Sequence, residues 1–321
     1  MYRQSSVGVS NWQRWALGGM LVFAGVTAWA QTPVTLPRAD GSEITYYVKQ
    51  AASQPAEQLL VIMQGSDCNS VQNNPRIQEA FVPMLPNADV LTVEKYGLDA
   101  SFAWNADSSR ADCPMETLIN DTIYQRVQDY SAVLDALQKQ NDYKKVLVVG
   151  GSEGAVTAIM LAAQSDVVDA SVAFNGGGRW FKDDMLFSMT PGVPPEEVSP
   201  EVAKDIDGFF AMLDRVPTET AAINDHGVRW WKAMREHDQQ ATLLKVNSPV
   251  LIIQSGQDRS VSPIAVGQMM GEMNMAGRTN IHYKTYPQLD HVFNDAQGQT
   301  HLDTVIADMK EWLLETVPSQ P

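Results

Sequence analysis

The chain has 321 residues, 44% of them hydrophobic, and carries 38 acidic against 23 basic side chains, a formal charge of -15. That much apolar material builds a substantial core, which excludes an intrinsically disordered chain, and the length suits one large α/β domain with an insertion or two small domains. The acidic balance argues against a nucleic-acid partner, because no basic stripe is present to neutralise a phosphate backbone.

Arg3 and Arg14 open the chain without an acidic residue, an apolar run follows from Trp15 to Ala28, and Ala28-Trp29-Ala30 places small residues around one position. This layout predicts a signal peptide spanning residues 1–30, cleaved after Ala30, and a periplasmic or secreted protein. The alternative, an uncleaved anchor, needs about 20 apolar residues, and this run is short and interrupted by glycine. After cleavage no stable membrane association is expected. Export also bears on Cys68 and Cys113, the only cysteines. An oxidising compartment favours a bridge between them over two separate buried thiols.

Strand-like and helix-like stretches then alternate. Glu43 to Lys49, Gln58 to Gln64 and Asp89 to Glu94 read as strands, and Leu118 to Gln138 repeats its apolar residues at helical spacing. Lys145 to Val149 is a continuous β-branched run entering Gly150-Gly151, and Glu153 to Gln164 has the small apolar residues of a buried helix. Val167 to Phe174 reads as a strand that Gly176-Gly177-Gly178 breaks. Val250 to Gln254 and Ile281 to Tyr286 are further strands, with helices over Val261 to Met275 and His301 to Thr316. Apolar strands separated by helices predict an α/β fold with a mostly parallel sheet covered on both faces. Residues from about 179 to 246 depart from the alternation, with four prolines followed by helical patterns rich in Trp and Phe. They predict a helical insertion above the carboxyl edge of the sheet, the edge where open α/β folds bind ligands. Met269, Met270, Met273 and Met275 have helical spacing and read as packing residues.

Gly150-Gly151-Ser152-Glu153-Gly154 fits G-x-S-x-G with a strand before it and a helix after it. The physical logic is a sharp turn that raises the Ser152 hydroxyl above the sheet while the Glu153 N–H faces the place where an oxyanion would form. The alternative is a glycine-rich phosphate loop, which the charge of Glu153 opposes. A serine hydroxyl needs a base. Of five histidines, His291 stands in a loop directly after a strand, whereas His226 and His237 fall in the insertion, His282 lies within a strand and His301 starts a helix. Asp258, in the loop after Val250 to Gln254, can orient that imidazole; its other reading is a helix cap. Asp290 is a rival acid, but neighbours in sequence rarely point at each other.

These three segments, in the order Ser, Asp, His, resemble the α/β-hydrolase superfamily over residues of about 43 to 316. The resemblance implies an α/β-hydrolase fold with a variable helical cap at residues 179–246, a catalytic triad of Ser152, Asp258 and His291, and an acyl-enzyme. It also implies a second oxyanion donor after an early strand. That segment is Gln64-Gly65-Ser66-Asp67-Cys68, in which Gln stands where the family usually has His. The backbone N–H of Ser66 is then the partner of the Glu153 N–H, and a Cys68–Cys113 bridge would brace the loop. No cofactor or metal is expected, since neither HExxH, clustered His/Cys/Asp spacing nor a dinucleotide fingerprint occurs. The expected partner is a small-molecule ester or a short peptide. A carboxylic-ester hydrolase leads, a serine exo- or oligopeptidase is the first rival, and a non-catalytic binding protein on the same scaffold is the second. Asp67 and Glu153 would favour a substrate amine if their charges faced the nucleophile, although a Glu in a first helical turn also complements the helix dipole. The sequence carries no signal for an oligomeric state.

Overall fold

A computed structural model describes residues 31–107, 110–194, 197–219, 222–223 and 225–318. The predicted signal peptide and its cleavage point at Ala30 lie outside the described residues. Among the described residues no helix is long and apolar enough to cross a membrane.

The elements follow in chain order. Strands β1 (Val34–Pro37), β2 (Glu43–Lys49), β3 (Gln58–Met63) and β4 (Asp89–Val93) come first, with a π-helix at Arg76–Phe81 between β3 and β4. Helices α1 (Met115–Asn120) and α2 (Ile123–Gln140), strand β5 (Lys145–Gly151), helix α3 (Glu153–Gln164) and strand β6 (Ala170–Phe174) come next. Between β6 and the next long strand lie α4 (Phe181–Met189), α5 (Pro200–Leu213), the two-residue strands β7 (Ala222–Ile223) and β8 (His226–Gly227), α6 (Val228–Glu236) and α7 (Gln239–Leu243). Strand β9 (Val250–Ser255), helix α8 (Pro263–Met275), strand β10 (Ile281–Tyr286) and helix α9 (Leu302–Thr316) close the chain.

Eight strands form one sheet in the order β1-β2-β4-β3-β5-β6-β9-β10. The six from β4 to β10 run parallel, and β2 alone is reversed, pairing antiparallel with β1 on one side and β4 on the other. This is the α/β-hydrolase fold that the sequence predicts. The continuous apolar run of β3 follows from burial on both faces. Leu59, Val61 and Met63 pack with α2, α3 and α8, while Leu60 and Ile62 pack with the π-helix and α9 on the other face. Helix α3 is buried from Glu153 to Ala162 because neighbours cover it all round.

The helical periodicity from Leu118 to Gln138 is split in the structure. Asp121 leaves the helical region at φ -67°, ψ 122°, and the Thr122 hydroxyl accepts the Gln125 N–H, so α2 starts afresh there. Strand β6 is shorter than its predicted run, starting at Ala170 after a turn. The edge strand β1 and the π-helix carry no periodic apolar signal and are additions to the sequence reading.

Parallel order has one consequence for function. Neighbouring strands β3, β5, β6, β9 and β10 all end at the same edge of the sheet. The segments that follow them therefore gather Ser66, Ser152, Asn175, Asp258 and His291 from positions far apart in the chain.

Candidate active site

Strand β5 runs into α3 through one residue, Ser152, whose backbone sits at φ 54°, ψ -126°. That left-handed conformation is costly for a side chain with a Cβ, and such strain tends to mark functional turns. It is tolerated because the surroundings fix it: the Ser152 N–H donates to the Phe174 carbonyl at 2.9 Å. The flanking glycines allow the approach. A Cβ on Gly150 would lie 2.1 Å from the Gly154 carbonyl oxygen, and one on Gly154 would lie 2.2 Å from that of Met63. The Ser152 hydroxyl does not cap α3.

Asp258 lies in the turn after β9 and is 2% exposed. Its Oδ1 accepts the N–H groups of Ser260 at 2.8 Å and Val261 at 3.0 Å, which shape the turn. Its Oδ2 lies 2.7 Å from His291 Nδ1. The cap of α8 is Ser262, whose hydroxyl accepts the Ala265 N–H, so Asp258 is not needed for that task. Asp290 turns away from the imidazole, and its Oδ1 accepts the N–H groups of Val292 and Asn294. With Nδ1 engaged by Asp258, Nε2 is the ring nitrogen left to meet a hydroxyl. Ser152 and His291 both line one cavity of about 410 Å³, together with Gly65, Ser66, Arg76 and Phe174.

Asn175 holds this arrangement, although in the sequence it stands between Phe174 and three glycines with no signal of its own. Its amide nitrogen donates to the His291 carbonyl at 2.9 Å and its Oδ1 accepts the Ser255 N–H at 2.8 Å. One side chain thereby ties β9 to the histidine loop.

Ser66 and Glu153 flank Ser152 in a second cavity of about 180 Å³, walled by Val156, Phe181, Trp230 and Met234. Neither the Ser66 nor the Glu153 N–H donates to a backbone carbonyl among the described residues. Gln64 helps to set the Ser66 loop: its side-chain amide donates to the Asn69 carbonyl at 2.9 Å and to Asp67, and its backbone carbonyl accepts from Arg126 at 2.6 Å. A disulfide joins Cys68 in this loop to Cys113, with 5.9 Å between Cα atoms.

The Glu153 side chain does not face a substrate as a free charge. It is buried, pairs with Arg126 at 2.6 Å and accepts the indole N–H of Trp230 on α6. Burial raises its pKa, but the Lys95 and Arg126 cations outweigh burial and hold the carboxyl down at about 2. His226, stacked on Trp230 at 3.7 Å between ring centres, is pushed down to about 4 by burial. Asp184 of α4 accepts the Ser262 N–H at 2.8 Å and is pushed up to about 7, chiefly by burial. Among the described residues no group of three or more His, Cys, Asp or Glu side chains is gathered to hold a metal ion.

The sequence pattern of the α/β hydrolase family matches residues 96–300, more than half of the chain. No curated protein matches the sequence. Among solved structures, Est1E from Butyrivibrio proteoclasticus with ferulic acid bound superposes with a TM-score of 0.60 at 18% identity, over 89% of this chain and 100% of that one. The Pyrococcus furiosus esterase Pf2001 gives 0.59 at 13% identity, over 89% and 91%. The Pyrococcus horikoshii acylaminoacyl peptidase gives 0.56 at 12% identity, over 91% of this chain and 43% of that one. At these identities the likeness is one of fold, and with the family match it leads to one conclusion: the chain belongs to the α/β hydrolase family.

Proposed function

We propose that the protein is an exported serine hydrolase that cleaves a carboxylic ester through Ser152, His291 and Asp258. The observation that carries this reading is the Asp258 Oδ2–His291 Nδ1 contact of 2.7 Å beside a cavity that Ser152 and His291 line together. Ser152 attacks the acyl carbonyl as His291 Nε2 takes its proton, and buried Asp258 stabilises the imidazolium. The N–H groups of Ser66 and Glu153 receive the oxyanion. His291 returns the proton to the leaving oxygen, and water then releases the acyl group from Ser152. The helices between β6 and β9 serve as a cap over the smaller cavity. The disulfide and the N-terminal pattern support export to a periplasmic or extracellular compartment.

An ester is favoured over a peptide because Glu153, one of the two carboxylates that could have attracted a substrate amine, is neutralised by Arg126. The test is a panel of p-nitrophenyl esters beside aminoacyl-arylamides. Ester turnover that disappears in Ser152→Ala, with loss of fluorophosphonate labelling, supports the reading. Arylamide turnover without ester preference replaces it with a peptidase, and no turnover with no labelling leaves a binding protein.

A further inference from the structure

The larger cavity contains a cation for which the reaction has no use. Arg76 opens the π-helix, is half-buried, and lines the cavity that holds Ser152 and His291. Its guanidinium has five N–H donors, and among the described residues its one hydrogen bond is a long one, 3.4 Å to the Val292 carbonyl. The buried arginines are paired, whereas half-buried Arg278 also meets a carbonyl, that of Val246, but lies outside this cavity. Arg38 holds Asp129 with two bonds of 2.9 Å, Arg110 holds Asp112 with bonds of 2.7 and 2.8 Å, and Arg126 holds Glu153. No carboxylate of a described residue forms an ion pair with Arg76. Asp67 and Asp290 lie near enough to favour its charged form, against the burial that disfavours it. Both have other work: Asp67 takes the Gln64 amide, and Asp290 takes the N–H groups of Val292 and Asn294. A desolvated guanidinium with unclaimed donors in a substrate cavity is a receptor for a planar anion.

The reaction decides which end of the substrate this is. His291 must give its proton to the leaving oxygen, so the leaving group lies in the cavity that His291 lines. His291 and Arg76 both line the larger cavity, and neither lines the smaller one. Phe81 and Phe174, stacked with ring centres 5.4 Å apart, supply an apolar wall there. We infer that Arg76 binds a carboxylate on the alcohol portion of the ester, so that the enzyme releases a hydroxy acid with an apolar or aromatic body. In the reaction the ester C–O bond breaks, the leaving oxygen takes the proton held by His291, and water supplies hydroxide to the acyl carbon. The products are the acyl carboxylic acid and the hydroxy acid. Because Asp67 and Asp290 offset part of the positive field, recognition depends on directed hydrogen bonds rather than on net potential.

This inference rests on the ester-hydrolase reading, and the experiment separates the two. The substrates are 4-acetoxybenzoate and its neutral counterpart 4-acetoxybenzamide, each corrected for its reactivity with hydroxide. The expected kcat/KM ratio is about 10- to 100-fold in favour of the anion, the scale of a hydrogen bond to a charged group. In Arg76→Gln the ratio falls to about one, and Arg76→Lys keeps part of it, with far-UV circular dichroism showing that both variants fold. A ratio near one in the parent enzyme, or one unchanged by Arg76→Gln, overturns the assignment. So does an Arg76-dependent preference for monophenyl succinate, whose carboxylate is on the acyl side. A second arm needs no turnover: 4-hydroxybenzoate is titrated calorimetrically into Ser152→Ala, with binding expected to weaken at least about tenfold when Arg76→Gln is added. Arg76-dependent binding without ester turnover keeps the anion site and rejects the ester reading. Turnover of phenyl acetate without such binding keeps the ester reading and rejects the anion site.

Discussion

Asp258 and His291 are 33 residues apart in the chain and 2.7 Å apart in the fold. The same aspartate receives two backbone N–H groups on its other oxygen, so the carboxylate is held independently of the imidazole. Asp258→Asn keeps an oxygen for those N–H groups but loses the charge and can fix the wrong tautomer of His291. The expected result is a fall in kcat of about 10³- to 10⁴-fold on a p-nitrophenyl ester with folding preserved. Asp290→Asn is the control, since Asp290 shapes the loop without touching the imidazole. It should cost far less, and equal losses in the two variants would reject Asp258 as the orienting acid.

Ser152 allows chemistry and strain to be separated. Ser152→Ala and Ser152→Gly both remove the nucleophile, so both should lose turnover and fluorophosphonate labelling. Only glycine relieves the backbone at φ 54°, ψ -126°. In urea denaturation the glycine variant should be the more stable of the two by about 1 kcal/mol. An alanine variant as stable as the glycine variant would show that the turn stores no strain.

The turn, the acid loop and the histidine loop are legible in the sequence because each is a short segment with its own local grammar: glycine spacing, a strand before, a loop after. What was not legible depends on contacts between distant segments. Glu153 sits in a motif, yet its partners Arg126 and Trp230 lie 27 and 77 residues away, and nothing local identifies them. Arg76 gives no signal at all until the fold brings it beside residues 216 positions further along. Asn175 carries no signal of its own in the sequence, and its role appears only when β9 and the histidine loop flank it. The break between α1 and α2 was hidden because apolar spacing continues through Asp121, while Thr122 starts a new helix by capping it.

The Arg126–Glu153 pair is buried on both sides, with side chains 4% and 2% exposed. Removing either partner strips a buried charge of its hydrogen-bonded counter-ion below the nucleophile turn, leaving Glu153 only the more general field of Lys95 or Arg126 only that of Asp121, at a cost of up to about 3–5 kcal/mol. Glu153→Ala and Arg126→Met should each lose stability on that scale in urea denaturation, while the double variant should lose less than the sum. Additive losses would mean that the two side chains do not act as a pair.

Asp184 makes stability depend on pH in an unusual direction for a carboxylate. Its unfolded value is 3.8 and its folded value is about 7, raised by burial first and by Asp183 and Asp258 further down. Between those values the folded chain keeps a proton that the unfolded chain has released. The contribution of this group therefore falls as pH rises from about 4 to 7, by up to about 1.4 kcal/mol per pH unit, and is level outside that window. Glu94, pushed up to about 7 by burial, acts in the same sense. Glu153 and His226 act in the opposite sense, since their folded values are depressed to about 2 and about 4. Asp184→Asn leaves those three groups in place, so the difference between variant and parent isolates Asp184. Urea midpoints at pH 4.5 and 7.5 should show the variant losing ground at the lower pH and recovering it at the higher. A difference that does not move with pH would mean that Asp184 is already ionised in the fold, its carboxylate held by the N–H groups of Ser262 and Gly178.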